Sequence, residues 1–133
     1  MEKKHINPDT LMAPRGYTHV VSVDAPGRIV YISGQVAFGK DGKLVGAGDL
    51  GAQTRQVVTN LKAALEAAGA TPADIVKLNT YIVNYKPADY PGFAAARNEL
   101  AAGGSPPAST MVGVSALAVD GLLIEMEAIA IVK

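Results

Sequence analysis

Residues 122–132 read LLIEMEAIAIV, and the alternation in this stretch decides the fold class. Successive side chains of a β-strand point to opposite faces of the sheet. The even positions are all apolar, whereas the odd positions place Glu125 and Glu127 among apolar residues. The first face is suited to packing under helices. The second face is where we expect polar chemistry.

A second stretch with two different faces is RIVYISGQV at 28–36. One face holds Val30, Ile32, Gly34 and Val36, and the other holds Ile29, Tyr31, Ser33 and Gln35. The second face of each strand has almost no lysine, although a solvent-facing sheet normally carries more charge. Two helices cover only one face of a sheet, so we predict that other copies of the chain cover the second face.

The remaining pattern predicts an α+β sandwich, with one sheet and two helices on one of its faces. We expect a single domain over 1–133, with 1–16 as an N-terminal tail or loop. Asp49 is the predicted N-cap of the first helix, and Gly69 its stop. The predicted order is β-β-α-β-α-β-β. It begins with a hairpin of strands 18–23 and 28–36 around a turn at 25–27, followed by a helix at 49–68 and a short helical turn at 71–74. A strand at 76–84 and a helix at 89–102 come next, and the chain ends with a hairpin of strands 109–117 and 122–132 around Asp120-Gly121.

Composition excludes several classes of function. Lys plus Arg and Asp plus Glu are each 12, so the net charge is zero, which argues against a nucleic-acid partner. No apolar stretch approaches the roughly 20 residues that span a bilayer, and we expect a soluble, cytoplasmic protein without a membrane partner. The absence of cysteine excludes thiolate metal sites and a cysteine nucleophile. His5 and His19 lack the further spaced ligands of a metal site.

Six short motifs together resemble the RidA/YjgF family, also called the L-PSP endoribonuclease family. They are ISGQ at 32–35, QTRQ at 53–56, AAG at 67–69, DIVK at 74–77, PAST at 107–110 and IEMEAIA at 124–130. The resemblance implies a chorismate-mutase-like fold in which three subunits pack their sheets into a central barrel. It also implies a small-molecule cleft at each subunit interface. The best-known members hydrolyse imines and enamines such as 2-aminoacrylate, without a metal or cofactor.

The resemblance also assigns site residues. Glu125 matches the carboxylate that positions or activates water, and Tyr17 matches a cleft tyrosine; we take both as catalytic candidates. The substrate-binding candidates are Ser33, Gly34, Ser109 and Thr110. Four of these residues have a structural alternative. Glu125 is equally explained as an interfacial carboxylate, Ser33 as a structural hydrogen-bonding group, Tyr17 as a packed aromatic, and Gly34 as a site of close strand packing.

The chain departs from the family where Ser109 replaces the arginine that clamps the substrate carboxylate. Serine cannot form the bidentate pair that a guanidinium makes with a carboxylate. Ala94 replaces a family asparagine on the second helix. The resemblance is therefore to an arginine-less branch, and we expect inefficient hydrolysis of 2-aminoacrylate. Arg15 and Arg97 are the candidates to supply a guanidinium from elsewhere.

Three functions follow from this pattern. The first is an enzyme that hydrolyses an imine, an enamine or a related C–N bond of a small metabolite. The second is a non-catalytic trimer that binds a small molecule or protects other proteins, as the loss of the arginine allows. The third is a ribonuclease, against which the zero net charge and the lack of a histidine pair both argue.

Overall fold

The computed structural model describes residues 2–14, 16–24, 27–101 and 103–133. Within these residues the elements are β1 (Lys3–Ile6), β2 (Val20–Val23), β3 (Arg28–Gln35), α1 (Leu50–Ala67), β4 (Ile75–Val83), α2 (Tyr90–Arg97), β5 (Ala108–Val114) and β6 (Ile124–Val132). Short 3-10 turns lie at Pro72–Asp74, Pro87–Asp89 and Asn98–Leu100. The predicted β-β-α-β-α-β-β succession is confirmed from β2 onward, and β1 precedes it.

The main sheet has the strand order β3-β6-β4-β5, with β6 antiparallel to both of its neighbours. The predicted hairpin of the last two strands is therefore wrong. The local turn exists, since Gly121 has φ +90° and the Leu122 N–H donates to the Val119 carbonyl at 3.3 Å. However, β5 pairs in parallel with β4, the arrangement that a helical crossover through α2 permits. β6, the strand whose alternate residues are all apolar, lies between β3 and β4 and does not pair with β5.

The N-terminal segment forms structure that the sequence did not predict. β1, within the expected tail, pairs antiparallel with β2 from Lys3 opposite Val23 to Ile6 opposite Val20. β2 therefore belongs to a two-stranded sheet with β1, and the predicted hairpin of β2 with β3 is wrong. The physical reason is that β1 is short and polar and becomes a strand only through a distant partner. Ala25 and Pro26, within the predicted turn, lie outside the described residues.

The predicted separation of the sheet into two faces is confirmed. Along β6, buried and half-buried residues alternate from Ile124 to Ala130. The even positions pack against α1 and share one core with α2, and the two helices contribute the largest buried apolar side chains. The core includes Val57, Val58, Leu61 and Leu65 from α1, Phe93 from α2, Leu78 and Ile82 from β4, and Ile124, Met126, Ala128 and Ala130 from β6.

Local signals set the helix ends. The Asp49 carboxylate accepts from the Ala52 N–H at 3.0 Å, which confirms the predicted N-cap. Gly69, with φ +72°, follows the end of α1, a backbone conformation that glycine adopts without steric cost. α2 is shorter than predicted, because the chain tightens into the 3-10 turn at Asn98–Leu100 after Arg97. None of the described helices is both long and apolar enough to cross a membrane.

A buried amide joins α1 to two loops. Gln53 is fully buried, and its Nε2 donates to the carbonyls of Gly46 at 3.3 Å and Gly121 at 2.9 Å. Its Oε1 accepts from the Leu123 N–H at 2.8 Å. The same side chain thus satisfies backbone groups in the loop before α1 and in the turn before β6. Gln53 is polar, yet its spacing from Leu50 and Val57 places it on the buried stripe of α1.

We predict that Gln53→Met lowers the free energy of unfolding by about 1–3 kcal/mol, because methionine fills the space but leaves buried backbone groups without partners. Urea unfolding followed by circular dichroism measures this change. Lys62→Met is the matched control, since Lys62 lies on the exposed side of α1. Equal stability of the two variants would show that the Gln53 contacts do not hold the loops.

Candidate functional site

Polar side chains line the sheet face opposite the helices, which we call the open face. Glu125 and Glu127 of β6 stand opposite Tyr81 and Asn79 of β4. The Tyr81 hydroxyl donates a hydrogen bond to Glu127 Oε1. Lys77 of β4 donates its Nζ hydrogen to Thr110 Oγ1 of the next strand, β5, at 3.0 Å. The open face therefore brings together carboxylate, phenol, amide, ammonium and hydroxyl groups.

The two carboxylates of β6 have different surroundings. The hydrogen bond to Glu127 raises the pKa of Tyr81 above its ordinary value of 10.0. Desolvation and the negative charges of Glu127 and Glu125 add to the increase. Tyr81 thus stays protonated at neutral pH and acts as a donor to Glu127. This pairing leaves Glu125 as the better candidate for acid–base chemistry.

Gly34 makes room for the Glu125 side chain. A Cβ on Gly34 would lie 2.2 Å from Glu125 Oε2 and 2.6 Å from its Cδ, far inside van der Waals contact. The pairing of β3 with β6 is irregular here, with a register shift between Ile32 and Gln35. The close approach expected at Gly34 therefore occurs, and the group that approaches is the Glu125 carboxylate. A glycine at this position determines where that carboxylate lies.

A cavity of about 250 Å³ lies on the open face beside Glu127, and Glu125 does not line it. Ser33 contributes to its wall together with Lys77, Asn79 and Glu127. Ser33, Gly34 and Glu125 are thus neighbours on one face, and Thr110 adjoins them through Lys77. Sequence reasoning missed Lys77, Asn79 and Tyr81. Their alternation along β4, opposite the β6 carboxylates, is the signal that identifies them once the strand pairing is known.

Ser109 lies on the other side of the sheet. It lines a cavity of about 420 Å³ between the end of α2 and the start of β5, which we call the Arg97 cavity. Leu78, buried in the core, lines the same cavity from β4. The full lining is Lys3, His5, Gly16, Pro72, Ala73, Ile75, Leu78, Arg97, Asn98, Leu100, Ala101, Gly104, Ser105, Pro106, Pro107 and Ser109.

Tyr17 lies near the Arg97 cavity but lines neither of these two cavities. Its ring packs edge-on against His19, with centroids 5.1 Å apart. The next residue, Thr18, donates its N–H to the Pro107 carbonyl at 3.0 Å and forms a bridge with Ala108. Tyr17 is therefore tied to the start of β5, on the Ser109 side. Arg15 lies outside the described residues.

The residues predicted from the sequence thus fall into two groups. Ser33, Gly34, Thr110 and Glu125 lie on the open face, whereas Ser109 lies in the Arg97 cavity with Tyr17 nearby. A single chain does not bring the two groups into one pocket. In the described ranges, no three His, Asp or Glu side chains are grouped so that they could hold a metal ion.

Comparison with known proteins assigns the family. The family model described as Endoribonuclease L-PSP matches residues 8–132. The chain belongs to the Endoribonuclease L-PSP family. Among solved structures, the L-PSP fold of this chain matches the Rid family protein YyfB of Yersinia pestis with a TM-score of 0.89, at 47% identity over 98% of each chain.

Two curated relatives extend the comparison. A RutC family protein of Pyrococcus abyssi is 37% identical over 98% of each chain. A protein of Dermatophagoides farinae named 2-iminobutanoate/2-iminopropanoate deaminase is 32% identical over 88% of this chain and 86% of its own. The predicted family and α+β fold class are both confirmed. The L-PSP family includes imine deaminases.

We predict that Glu127→Gln lowers the pKa of Tyr81 toward 10.0, because it removes the charge that opposes the phenolate. Ultraviolet titration of the five tyrosines measures this, with Tyr81→Phe assigning the high-pH component. A pKa raised in the folded state contributes stability below the unfolded value, and that contribution disappears as pH rises through the folded value. An unchanged titration in Glu127→Gln would contradict the proposed pairing.

Proposed function

We propose that this L-PSP protein hydrolyses the C=N bond of a small imine, or of the enamine that tautomerises to it. The observation that carries the proposal is the placement of the Glu125 carboxylate against Gly34, on a face that also holds Ser33. The relationship to the Dermatophagoides protein named an imine deaminase supports the same reaction class. Glu125 is the residue to which we assign the proton transfers.

The proposed reaction requires one base that takes up and returns a proton. Glu125 accepts a proton from water as the water oxygen bonds to the imine carbon, and the C=N π electrons move to nitrogen. Protonated Glu125 returns this proton to the nitrogen, which gives a tetrahedral aminoalcohol. Glu125 then accepts the hydroxyl proton and delivers it to the nitrogen as the C–N bond breaks, so ammonia and a carbonyl compound form. General acid–base catalysis of this kind is worth about 10²- to 10⁴-fold in rate.

We further propose that the active protein is a homotrimer whose subunits face one another across their open faces. Tyr31, Ile29 and Val112 lie on the open face and are 75%, 54% and 42% exposed in the single chain. Covering them would remove apolar surface from water. It would also enclose Glu125 in an interface, where displaced water strengthens its electrostatic effect.

The trimer also offers a way to unite the two groups of site residues. Because the open face and the Arg97 cavity lie on different sides of one sheet, a ligand that contacts both requires more than one subunit. We infer that the cleft combines the Glu125 region of one subunit with the Ser109 region of its neighbour. The resemblance to a family with a cleft at each subunit interface supports this arrangement.

A second candidate is a non-catalytic trimer that binds a small molecule in the same clefts. The neutral Ser109, where the family pattern has a guanidinium, favours this alternative. The ribonuclease activity that the family name suggests has less support, because the chain has no net positive charge for binding phosphates. The imine hydrolase and the non-catalytic trimer would both bind a small molecule in the clefts, but only the hydrolase would convert it to products.

We predict a solution mass of three times the chain mass of 13.7 kDa, measured by light scattering on an eluting peak. Ile29→Asp should dissociate the trimer, because it buries a charge in the proposed interface. Val119→Asp is the control, since Val119 is 47% exposed in the loop before β6. A wild-type monomer would refute both the trimer and the interfacial cleft.

We predict that Glu125→Gln lowers the catalysed rate at least about 10²-fold while the assembly stays intact, because the amide keeps the shape and loses the basicity. Gly34→Ala should also lower the rate, since its Cβ displaces the carboxylate. The measurement is acceleration of ammonia release from 2-imino acids that an amino-acid oxidase generates in the same solution. Glu66→Gln, on the exposed side of α1, is the control. Near wild-type activity of Glu125→Gln would make Glu125 structural.

A further inference from the structure

The Arg97 cavity has the electrostatic character of an anion site. Lys3, His5 and Arg97 lie in its wall, and none of the described residues that line it is acidic. Lys3 Nζ already donates to the Ala73 carbonyl, which occupies part of its hydrogen-bonding capacity. Arg97 is therefore the residue in this wall best suited to hold an anion, because its planar fork can donate two parallel hydrogen bonds to a carboxylate.

Aromatic rings hold the guanidinium in place. Arg97 Cζ lies 5.2 Å from the centroid of the Phe93 ring and 5.9 Å from that of Tyr90. Phe93 is almost fully buried, so this support is rigid. Nη2 of Arg97 also lies 3.0 Å from where a Cβ on Gly16 would stand, so the glycine allows the close approach. Contacts with ring faces leave the N–H edge of a guanidinium for hydrogen bonding.

The rest of the wall limits what the anion can be attached to. Ile75, Leu78 and Leu100 line the cavity and belong to the buried core, and Pro72 and Pro106 add further apolar surface. The volume of about 420 Å³ lies within the range of sites for drug-sized ligands, which is about 300–1,000 Å³. A three-carbon acid would leave most of this apolar space unfilled. A carboxylate with a longer hydrocarbon side chain would use both the charge and the apolar wall.

We propose that Arg97 is the carboxylate-binding residue of this chain, and that the ligand is a 2-oxo or 2-imino acid with a branched or aromatic hydrocarbon side chain. Ser109 lies in the same cavity as Arg97, so the guanidinium comes from the end of α2 instead of from β5. The proposal deepens the proposed function and rests on it for the identity of the acid. Arg97 can bind the acid whether or not the protein hydrolyses an imine.

Calorimetric titration of the intact protein tests this. The ligands are 4-methyl-2-oxopentanoate, its methyl ester, pyruvate and inorganic phosphate. We expect the branched acid to bind most tightly, and Arg97→Gln to weaken it about 10- to 100-fold, the usual effect of removing a hydrogen bond to a charged group. Arg97→Lys keeps the charge but cannot donate two parallel hydrogen bonds, so its affinity for the branched acid should lie between those of the wild type and Arg97→Gln. Arg55→Gln, on the exposed side of α1, should bind as the wild type does.

The double variant Arg97→Gln with Ser109→Arg provides a gain of function, because both positions line one cavity. It should bind the branched acid more tightly than Arg97→Gln alone. Wild-type affinity in Arg97→Gln, or no binding of the acid by the wild type, would overturn the proposal. Equal affinity for the methyl ester would overturn the carboxylate contact. Phosphate or pyruvate binding as tightly as the branched acid would overturn the ligand class.

The same titration separates this proposal from the proposed function. Glu125→Gln should retain binding of the branched acid, because the carboxylate contact is assigned to Arg97 and the amide keeps the shape of the Glu125 side chain. If the wild type binds the acid through Arg97 but hydrolyses no imine, the binding site stands and the hydrolase does not. If imines are hydrolysed through Glu125 and Arg97→Gln changes neither binding nor KM, the hydrolase stands and the Arg97 site does not.

Discussion

The structure depends on the period-two alternation of β6. This strand lies between β3 and β4 with antiparallel pairing on each side, so its register fixes both neighbours. A shift by one residue would put Met126 and Ala128 on the open face and bury Glu125 and Glu127 under the helices. Burying those carboxylates without partners would cost far more free energy than the apolar contacts return. The same alternation therefore secures the core and places the carboxylates.

The two carboxylates show how neighbours give like residues different roles. Glu127 stands opposite Asn79 and accepts a hydrogen bond from Tyr81 of β4, whereas Glu125 lies against a glycine that gives it space. The raised pKa of Tyr81 keeps the phenol a donor over the physiological pH range. Side chains two residues apart on one strand thus meet different partners, because β3 and β4 flank them unequally.

The separation of polar groups onto two sides of the sheet limits how this chain can act. The open face has carboxylates and a shallow cavity, and the Arg97 cavity has cations and apolar walls. Because the whole sequence has zero net charge, it exerts no long-range attraction on an ion, and a ligand would respond to the local charges of each side. The proposed trimer would bring a carboxylate base of one subunit and a cationic anchor of its neighbour to one substrate.

The sequence by itself determined the elements and the two faces of the sheet. Asp49, Gly69 and the apolar positions of α1 and β6 act through local geometry and spacing, so the pattern alone predicts them. The family followed from motifs in order, and the importance of Glu125 as a candidate followed from the family. The presence of Ser109 in place of an arginine was also visible in the sequence.

Only the tertiary structure decided which strands pair and which residues share a cavity. The turn at Gly121 predicted a hairpin, but β6 pairs with β3 and β4, and β1 pairs with β2 across the expected tail. Strand pairing joins residues far apart in sequence, so local signals cannot select among partners that offer similar hydrogen bonds. For the same reason, three arrangements could be seen only in the folded chain. Gly34 lies against Glu125, Tyr81 donates to Glu127, and Arg97 and Ser109 line one cavity.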